Sequence, residues 1–420
     1  MNILLIGSGG RESSFAWKLS QSPLLDKLFI SPGNPGTEQY GTNVNLDIND
    51  IDELSGFIKD NNIEMVIVGP ESPLVNGIYD KLKERCPKLM VIGPSSQGAM
   101  LEGSKFFAKK FMKEFGIPTA RYEAFTKQQL DNAIKYINSM NGNVVLKADG
   151  LAAGKGVLII QDKQEAIQEL KNIFEGKFGN AGDTVIIEEF LDGIEYSVFV
   201  ITDGKKFKML PIAKDYKRVG ENNTGLNTGG MGAVSPVPFI DDDLMIKTVV
   251  KIIQPTISGI WQKNINYKGF IFFGLINVNG DPYVIEYNCR MGDPEAEVVF
   301  PRLKNDLVEL LQSVYDETLS EHTIKHESNV AVTIMLTSAG YPEHYEKEKE
   351  ITGLDKVKDS LTFHAGTKKT DGKLYTNGGR VLAITSLAET QEKALKKCLE
   401  NAELIDFDGK YYRKDIGFDL

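Results

Sequence analysis

Glu286, Asn288 and Arg290 stand at alternate positions of one short segment, Asn279-Gly-Asp-Pro-Tyr-Val-Ile-Glu-Tyr-Asn-Cys-Arg290. Asn-Gly between two apolar runs is a strong hairpin signal, so this segment predicts a tight turn and an outgoing strand. Side chains two apart on a strand share a face. That rule places Glu286, Asn288 and Arg290 on one side and Ile285, Tyr287 and Cys289 on the other. A carboxylate, an amide oxygen and a guanidinium in one row suit a hard cation and a polyphosphate. The oxygens take the metal, and the arginine meets the charge that develops during phosphoryl transfer. A half-solvated edge strand would show the same alternation, so the rest of the chain has to decide between the two.

A second candidate is Leu146-Lys147-Ala-Asp-Gly150-Leu-Ala-Ala-Gly154-Lys155-Gly156. A strand delivers Lys147, and a Gly/Ala loop carries Lys155. Glycines let backbone N–H groups approach phosphate oxygens. The loop is not a Walker A motif, because the spacing G-x-x-x-x-G-K-[ST] is absent. Gly7-Ser-Gly-Gly-Arg-Glu12 offers a further anion seat, where a strand turns into a helix beside Arg11. It lacks the third glycine of a dinucleotide fingerprint, and the second strand lacks the ribose-binding acid, which disfavours NAD. Ile186-Ile-Glu-Glu-Phe190 ends a strand whose edge could offer main-chain groups to an adenine ring, with Glu195 further on for ribose hydroxyls. Asp215-Tyr-Lys217-Arg and Asn227-Thr-Gly-Gly230-Met231-Gly mark a polar, glycine-rich loop. Long loops inside compact domains are usually functional, and this one fits substrate binding.

The elements that must position these residues are legible as a rhythm. Strands near Asn2–Ile6, Leu28–Ile30, Met65–Val68 and Leu89–Ile92 alternate with helices near Arg11–Ser20, Ile51–Asn61 and Leu74–Cys86. This predicts an α/β fold that begins with a parallel sheet, with ligands at the carboxyl ends of its strands. A helix over Ser104–Phe115 stops at Gly116-Ile-Pro118. A compact α+β segment over 119–189 follows, with strands Val144–Ala148, Val157–Ile160 and Thr184–Glu188. The polar stretch Leu319–Ser328 reads as a boundary. A small α/β domain follows it, with strands near Val330–Leu336, Leu361–Ala365 and Val381–Thr385 and a helix near Leu387–Ala402. The domain reading is therefore 1–103, 104–325 with a subdomain at 119–189, and 326–420.

Composition removes several classes. The 420 residues carry a net charge of −10 with no dense basic block, a poor match for nucleic acid. No apolar run reaches membrane-spanning length, and the chain opens directly on a strand. Three cysteines without paired spacing suggest neither a zinc site nor a disulfide framework, and fit a reducing cytoplasm. All four histidines lie at position 322 or later, which excludes histidine chemistry from the first three quarters.

Taken in order, these motifs resemble the ATP-grasp superfamily. Over essentially the whole chain they resemble the phosphoribosylamine–glycine ligase (glycinamide ribonucleotide synthetase) family. The segments carrying the resemblance include Gly7–Glu12, Val68-Gly-Pro-Glu71, Leu101-Glu-Gly-Ser-Lys105, Lys147–Gly156, Asn227–Gly232, Glu286–Glu295 and Arg413-Lys-Asp-Ile-Gly417. The resemblance implies an ATP-grasp fold with an N-terminal parallel α/β domain, a mobile lid at 119–189 and a small C-terminal α/β domain. It implies that ATP activates the glycine carboxylate as an acyl phosphate, which the amine of 5-phosphoribosylamine then attacks. Lys105, Lys147 and Lys155 would contact ATP phosphates, with Glu188, Phe190 and Glu195 around adenine and ribose. Glu286 and Asn288 would hold Mg²⁺ or Mn²⁺, and Arg290 with Lys147 would serve catalysis. Asp215, Lys217, Gly230 and Met231 would shape the glycine and acceptor site, while Arg11, Asn34, Glu71 and Arg380 would face phosphoribosylamine. The enzyme would be a cytoplasmic monomer acting on small molecules. Ser13 and Tyr216 stand where the family usually has histidine. The competing readings are another carboxylate–amine ligase, a nucleotide-binding protein with a decayed site, and a dinucleotide oxidoreductase.

Overall fold

The computed structural model describes residues 1–151 and 156–420. Strands Asn2–Gly7, Lys27–Pro32, Thr42–Asn43, Ile63–Val68 and Met90–Pro94 pair in parallel. Their interior positions are continuously apolar and fully buried from Ile3 to Ile6, as expected for strands covered by helices on both faces. The segment read as one helix over Leu74–Cys86 is two, Glu71–Val75 and Ile78–Arg85, because Gly77 takes a left-handed conformation with φ 78°.

The parallel sheet does not end with its fifth strand. The twelve-residue strand Tyr267–Val278 pairs antiparallel with Met90–Pro94 through Tyr267 and Lys268. Beyond that point it pairs with Ile194–Thr202 on one side and Asp281–Asn288 on the other. The result is one nine-stranded sheet that runs from the N-terminal region into the middle of the chain. Residues Phe270–Phe273 in this strand are almost wholly buried, so the sheet that carries the hairpin is anchored in two apolar cores.

The segment 119–189 folds on its own four-stranded sheet with helices Leu130–Ser139 and Lys163–Asn172. Ala133, Ile137, Leu146, Leu170, Val185 and Ile187 form its separate core. Strands Val144–Ala148 and Val157–Ile160 lie where the sequence places them. Thr184–Glu189, however, is an interior strand between Tyr122–Thr126 and Val144–Ala148, not an edge. Its ladder occupies residues 184–189 on both sides, so main-chain groups offered to adenine would come from Phe190 onward, beyond the strand; Glu189 N donates to Arg121 O.

The C-terminal sheet takes strands from both sides of position 326. Lys214–Asp215 and Gly232–Ser235 join Val330–Thr337, Arg380–Ala388 and Leu361–His364. Strand Arg380–Ala388 runs further than its apolar core suggests, so the last helix starts at Gln391 instead of Leu387. The segment between Asp215 and Gly232 is not an unstructured loop, because Arg218–Gly220 and Thr224–Asn227 pair as a small hairpin.

Arg302 fastens the join between the middle and last regions. It is buried and donates to Asn329 O, Glu327 O and Ser235 Oγ at 2.8–2.9 Å. Removing it leaves buried acceptors unpaired. Arg302→Met should lower stability by about 2–4 kcal/mol. Thermal melts of the variant beside the parent check this, and an unchanged melting temperature would contradict it.

Candidate active site

Glu286 and Asn288 lie on the last stretch of strand Asp281–Asn288 and share a face, as the alternation requires. Two details of the row differ from the sequence reading. Gly274 pairs with Glu286 while Leu275 pairs with Val284, so Ile285 is an extra residue in a bulge and is not strictly opposite its neighbours. Arg290 lies beyond the strand, which stops at Asn288. The reason is Glu102, a buried carboxylate one turn before Lys105. One of its oxygens accepts from Cys289 N at 2.8 Å and the other meets Arg290 Nη2 at 2.7 Å. The chain therefore turns off the sheet to serve Glu102. Glu71 approaches Arg290 Nε at 3.4 Å. Gly274 makes room for Glu286: a Cβ there would sit 3.0 Å from its Cγ.

The lysines converge from two elements. Lys105 opens helix Lys105–Glu114, and its Nζ donates to Gly150 O at 2.9 Å. Burial lowers the Lys105 pKa against the attraction of Glu286, with Lys147, Asp149 and Glu102 also within electrostatic reach. Lys147, from the 119–189 segment, is buried. It pairs with Glu188 Oε2 at 2.9 Å and donates to Ile285 O at 3.3 Å. Glu188 is itself 3 % exposed. Its other oxygen faces Lys109 at 3.1 Å, and Lys109 donates to Thr119 Oγ1 at 2.7 Å. Burial pulls the Lys109 ammonium down to about 8, with Glu188 pulling the other way. The sequence reading missed Lys109. The available signal was its position four residues after Lys105, on the same helix face.

Glu195 and Asp215 both reach Lys217 Nζ at 3.0 Å. Lys217 holds the Glu195 carboxyl below its usual range. Glu286 and Glu295 also attract Lys217, which ties this group to the hairpin strand. Phe190 is 39 % exposed just past the strand that carries Glu188.

Other residues on the sequence reading are committed elsewhere. Arg11 is buried, donating from Nε to Glu12 Oε1 at 2.7 Å and from Nη1 to Met291 O at 3.2 Å. Asn34 donates to Ser8 O and His364 O at 2.8 Å and accepts from Gly36 N at 2.8 Å. Ser13, in the position of the family histidine, donates to His364 O at 2.6 Å, so both residues bind the last region to the first. Arg380 pairs with Asp293 at 2.9 Å and donates to Gly229 O at 2.9 Å. Gly230, with φ 124°, packs on Pro294, where any Cβ would clash. Met231 is fully buried in the C-terminal core and presents no surface to a ligand. Tyr216 likewise points away from the site. Lys155 lies outside the described residues.

The acid run Asp293-Pro-Glu295-Ala-Glu297 is a second feature the sequence reading did not single out. Arg380 and Arg11 keep Asp293 below the usual carboxylate range despite its burial. Glu297 is completely buried with neither oxygen hydrogen-bonded, and burial together with Asp293 raises its pKa. Burial and the Asp215 charge push Glu295 up to about 7.

Among the described residues no group of three or more Asp, Glu, His or Cys side chains forms a metal cage by itself. Glu286 with Asn288 offers one carboxylate and one amide. Asn288 is 7 % exposed with Nδ2 unpaired, so its amide is not committed on that side. This donor set fits a hard cation that takes its remaining oxygens from a nucleotide and water.

A segment with its own core, a lysine from it that bonds the hairpin strand at Ile285 O, and a carboxylate–amide pair on that same strand are the marks of an ATP-grasp enzyme. The chain belongs to the phosphoribosylglycinamide synthetase family. That family's N domain matches residues 1–102, its ATP-grasp (A) domain 103–296 and its C domain 331–419. The chain is 47% identical to a phosphoribosylamine–glycine ligase of Haemophilus influenzae over 100% of its length and 98% of the relative's. It is 44% identical to a trifunctional purine biosynthetic protein of Gallus gallus over 99% of its length, which is 42% of that protein. A crystal structure of the Thermotoga maritima phosphoribosylamine–glycine ligase superposes with TM-score 0.87 at 36% identity, covering 99% of this chain and 100% of that one. A biotin carboxylase domain from Hydrogenobacter thermophilus shares the fold at TM-score 0.73 and 15% identity, covering 98% of this chain and 91% of that one. ATP-grasp enzymes use ATP and divalent metal ions.

Because the folded pKa of Glu295 exceeds the ordinary 4.5, its contribution to stability is full below about pH 4.5 and is lost as pH rises through about 7. Glu295→Gln removes that titration. The variant's melting temperature relative to the parent should therefore be higher at about pH 8 than at about pH 5. An offset that does not change with pH would contradict this assignment.

Proposed function

We propose that the chain joins glycine to 5-phosphoribosylamine, giving glycinamide ribonucleotide, ADP and phosphate, in the cytoplasmic route to purines. The observation that carries the reading is the reach of Lys147, from the 119–189 segment, to Ile285 O on the hairpin strand beside Glu286, with Lys105 within electrostatic reach of Glu286. Full-length similarity to ligases of this name supports the choice of substrates. A carboxylate becomes an acylating agent only once one of its oxygens is part of a phosphate leaving group. The protein's task is then to position, to neutralise charge and to exclude water.

In this proposal Lys105, Lys147 and Lys155 hold the ATP phosphates, and Glu188, Phe190 and Glu195 border adenine and ribose. Arg290 stabilises the transferring phosphoryl group from its seat on Glu102. Asp215 and Lys217 line the glycine and acceptor side, with Gly230 shaping the turn beside them. Arg11, Asn34, Glu71 and Arg380 build the phosphoribosylamine end chiefly by fixing the surrounding turns. Met231 supports that side from the core. Glu286 and Asn288 would hold Mg²⁺ or Mn²⁺, which supplies charge neutralisation at the phosphates when bound. Residues 119–189, with a core of their own, would act as the lid. The boundaries 1–103, 104–325 and 326–420 serve as functional units on a shared sheet framework, in a monomer that engages neither membrane nor nucleic acid. No helix among the described residues is long and apolar enough to cross a membrane.

The test is ADP release with ATP, Mg²⁺, glycine and freshly generated phosphoribosylamine, leaving out each in turn. Turnover should require all four. Equal ADP release without glycine would overturn the reading.

Glu286→Gln keeps the shape and removes one anionic oxygen from a cation with few protein ligands. It should lower turnover by about 10²-fold or more at unchanged melting temperature. Near-parental turnover in the folded variant would place the metal elsewhere.

Lys109→Met leaves Glu188 with Lys147 as its remaining ion-pair partner, so Lys147 is less free to meet phosphates. The KM for ATP should rise about tenfold or more, and Lys109→Arg should recover part of the loss. A KM for ATP that does not change in Lys109→Met would contradict this role.

A further inference from the structure

Strand alternation sorts residues 214–217 into two sets. Asp215 and Lys217 turn toward Glu195 and the hairpin strand, while Lys214 and Tyr216 turn the other way. The second set meets a single carboxylate on the tail of the chain. Tyr216 is 1 % exposed, and its hydroxyl donates to Asp419 Oδ1 at 2.6 Å. Lys214 Nζ, also buried, pairs with Asp419 Oδ2 at 3.2 Å. Asp419 thus grips the residues on both sides of Asp215.

The same tail holds the hairpin that follows. Arg413 is completely buried, and its guanidinium forks onto Asp415 with two bonds of 2.8 Å. It also donates to Arg218 O and Asn223 Oδ1 at 3.1 Å and lies 5.4 Å from the centre of the Tyr216 ring. Asp415 Oδ2 accepts from Asn222 N at 2.7 Å, and Tyr411 donates its hydroxyl proton to Val219 O at 2.9 Å. Residues 221–226 of this hairpin are exposed, with Leu226 at 49 %, so the hairpin has no core of its own to fix it. An isolated two-stranded hairpin is marginal in water. A buried arginine forked onto a carboxylate and bonded to backbone and amide oxygens is a rigid tie.

We propose that residues 411–419 form a clasp that sets the position of Lys217 and Asp215, with Asp419 and Arg413 as positioning residues for the substrate side of the site. The inference rests on the ligase reading for the identity of the substrate, but the clasp itself is a geometric claim about the segment 214–227. It gives Tyr216 a role behind the site, where the family's histidine more often stands. Asp419 touches no substrate in this scheme and acts only through Tyr216 and Lys214.

The experiment compares the parent with Asp419→Ala, Asp419→Asn and Tyr216→Phe. KM for glycine, phosphoribosylamine and ATP are measured separately by ADP release. Melting temperature and the rate of trypsin cleavage after Lys217 or Arg218 are measured without substrates. Asp419→Ala should raise the KM for glycine about tenfold, leave the KM for ATP near parental and speed cleavage, with a lower melting temperature because buried Lys214 and Tyr216 lose their partner. Asp419→Asn retains an acceptor for the Tyr216 hydroxyl and should fall between parent and Asp419→Ala. Tyr216→Phe should resemble Asp419→Ala more weakly. Unchanged cleavage and unchanged KM for glycine would overturn the clasp. A uniform rise in all three KM values would overturn it too, because it would mark a purely structural tail. If the parent shows no glycine-dependent turnover the ligase reading fails, and the cleavage rates alone then decide for or against the clasp.

Discussion

A buried carboxylate shared by two buried lysines holds the site together. Glu188 belongs to the 119–189 segment, Lys109 to the helix that leads into it, and Lys147 to the neighbouring strand, whose ammonium also reaches Ile285 O on the hairpin. A buried charge without a partner is strongly destabilising, so these three groups hold each other in place. Two cations on one anion leave an excess positive charge. Lys147 carries that excess toward Lys105 and the hairpin strand, where it suits a polyphosphate. Burial lowers the charge's own stability, as the depressed pKa of Lys109 records, so an incoming anion gains more from it than it would at a surface.

The remaining architecture keeps this junction at a fixed distance from the acceptor side. Strand Tyr267–Val278 runs through the nine-stranded sheet and gives the hairpin a floor anchored in two cores. The 119–189 segment has its own core and meets the hairpin through a short contact: Val284 N donates to Pro118 O at 2.8 Å, and Thr119 Oγ1 donates to Val284 O at 2.7 Å. On the far side, Arg380 joins Gly229 to Asp293, so the C-terminal sheet and the turn after Arg290 move together.

Much of this was legible in the sequence because local rules dominate there. The Asn279-Gly280 turn has positive φ at both residues, as its composition requires. Strands Val144–Ala148 and Val157–Ile160 are apolar runs bounded by turn residues. Lys105 and Lys147, assigned to one phosphate site from separate motifs, lie within electrostatic reach of each other. Local rules fail where a distant residue intervenes. The bulge at Ile285 and the departure of Arg290 from the strand depend on Glu102, which is 187 positions from Cys289. Whether Thr184–Glu189 lies at an edge depends on which strands flank it, and the strand's own pattern carries no such information. Lys109 reads as one more surface lysine on a charged helix until Glu188 is placed beside it. The hairpin within 215–232 was hidden because glycine and asparagine dominate it and its support comes from residues beyond 410.

In the proposed reaction the glycine carboxylate becomes an acyl phosphate, a mixed carboxylic–phosphoric anhydride, before the amine attacks. Glycine carrying heavy oxygen in both carboxyl positions tests it directly. One labelled oxygen should pass to inorganic phosphate for each glycinamide ribonucleotide formed, read by mass spectrometry of the phosphate. Product formation with no label in the phosphate would contradict it.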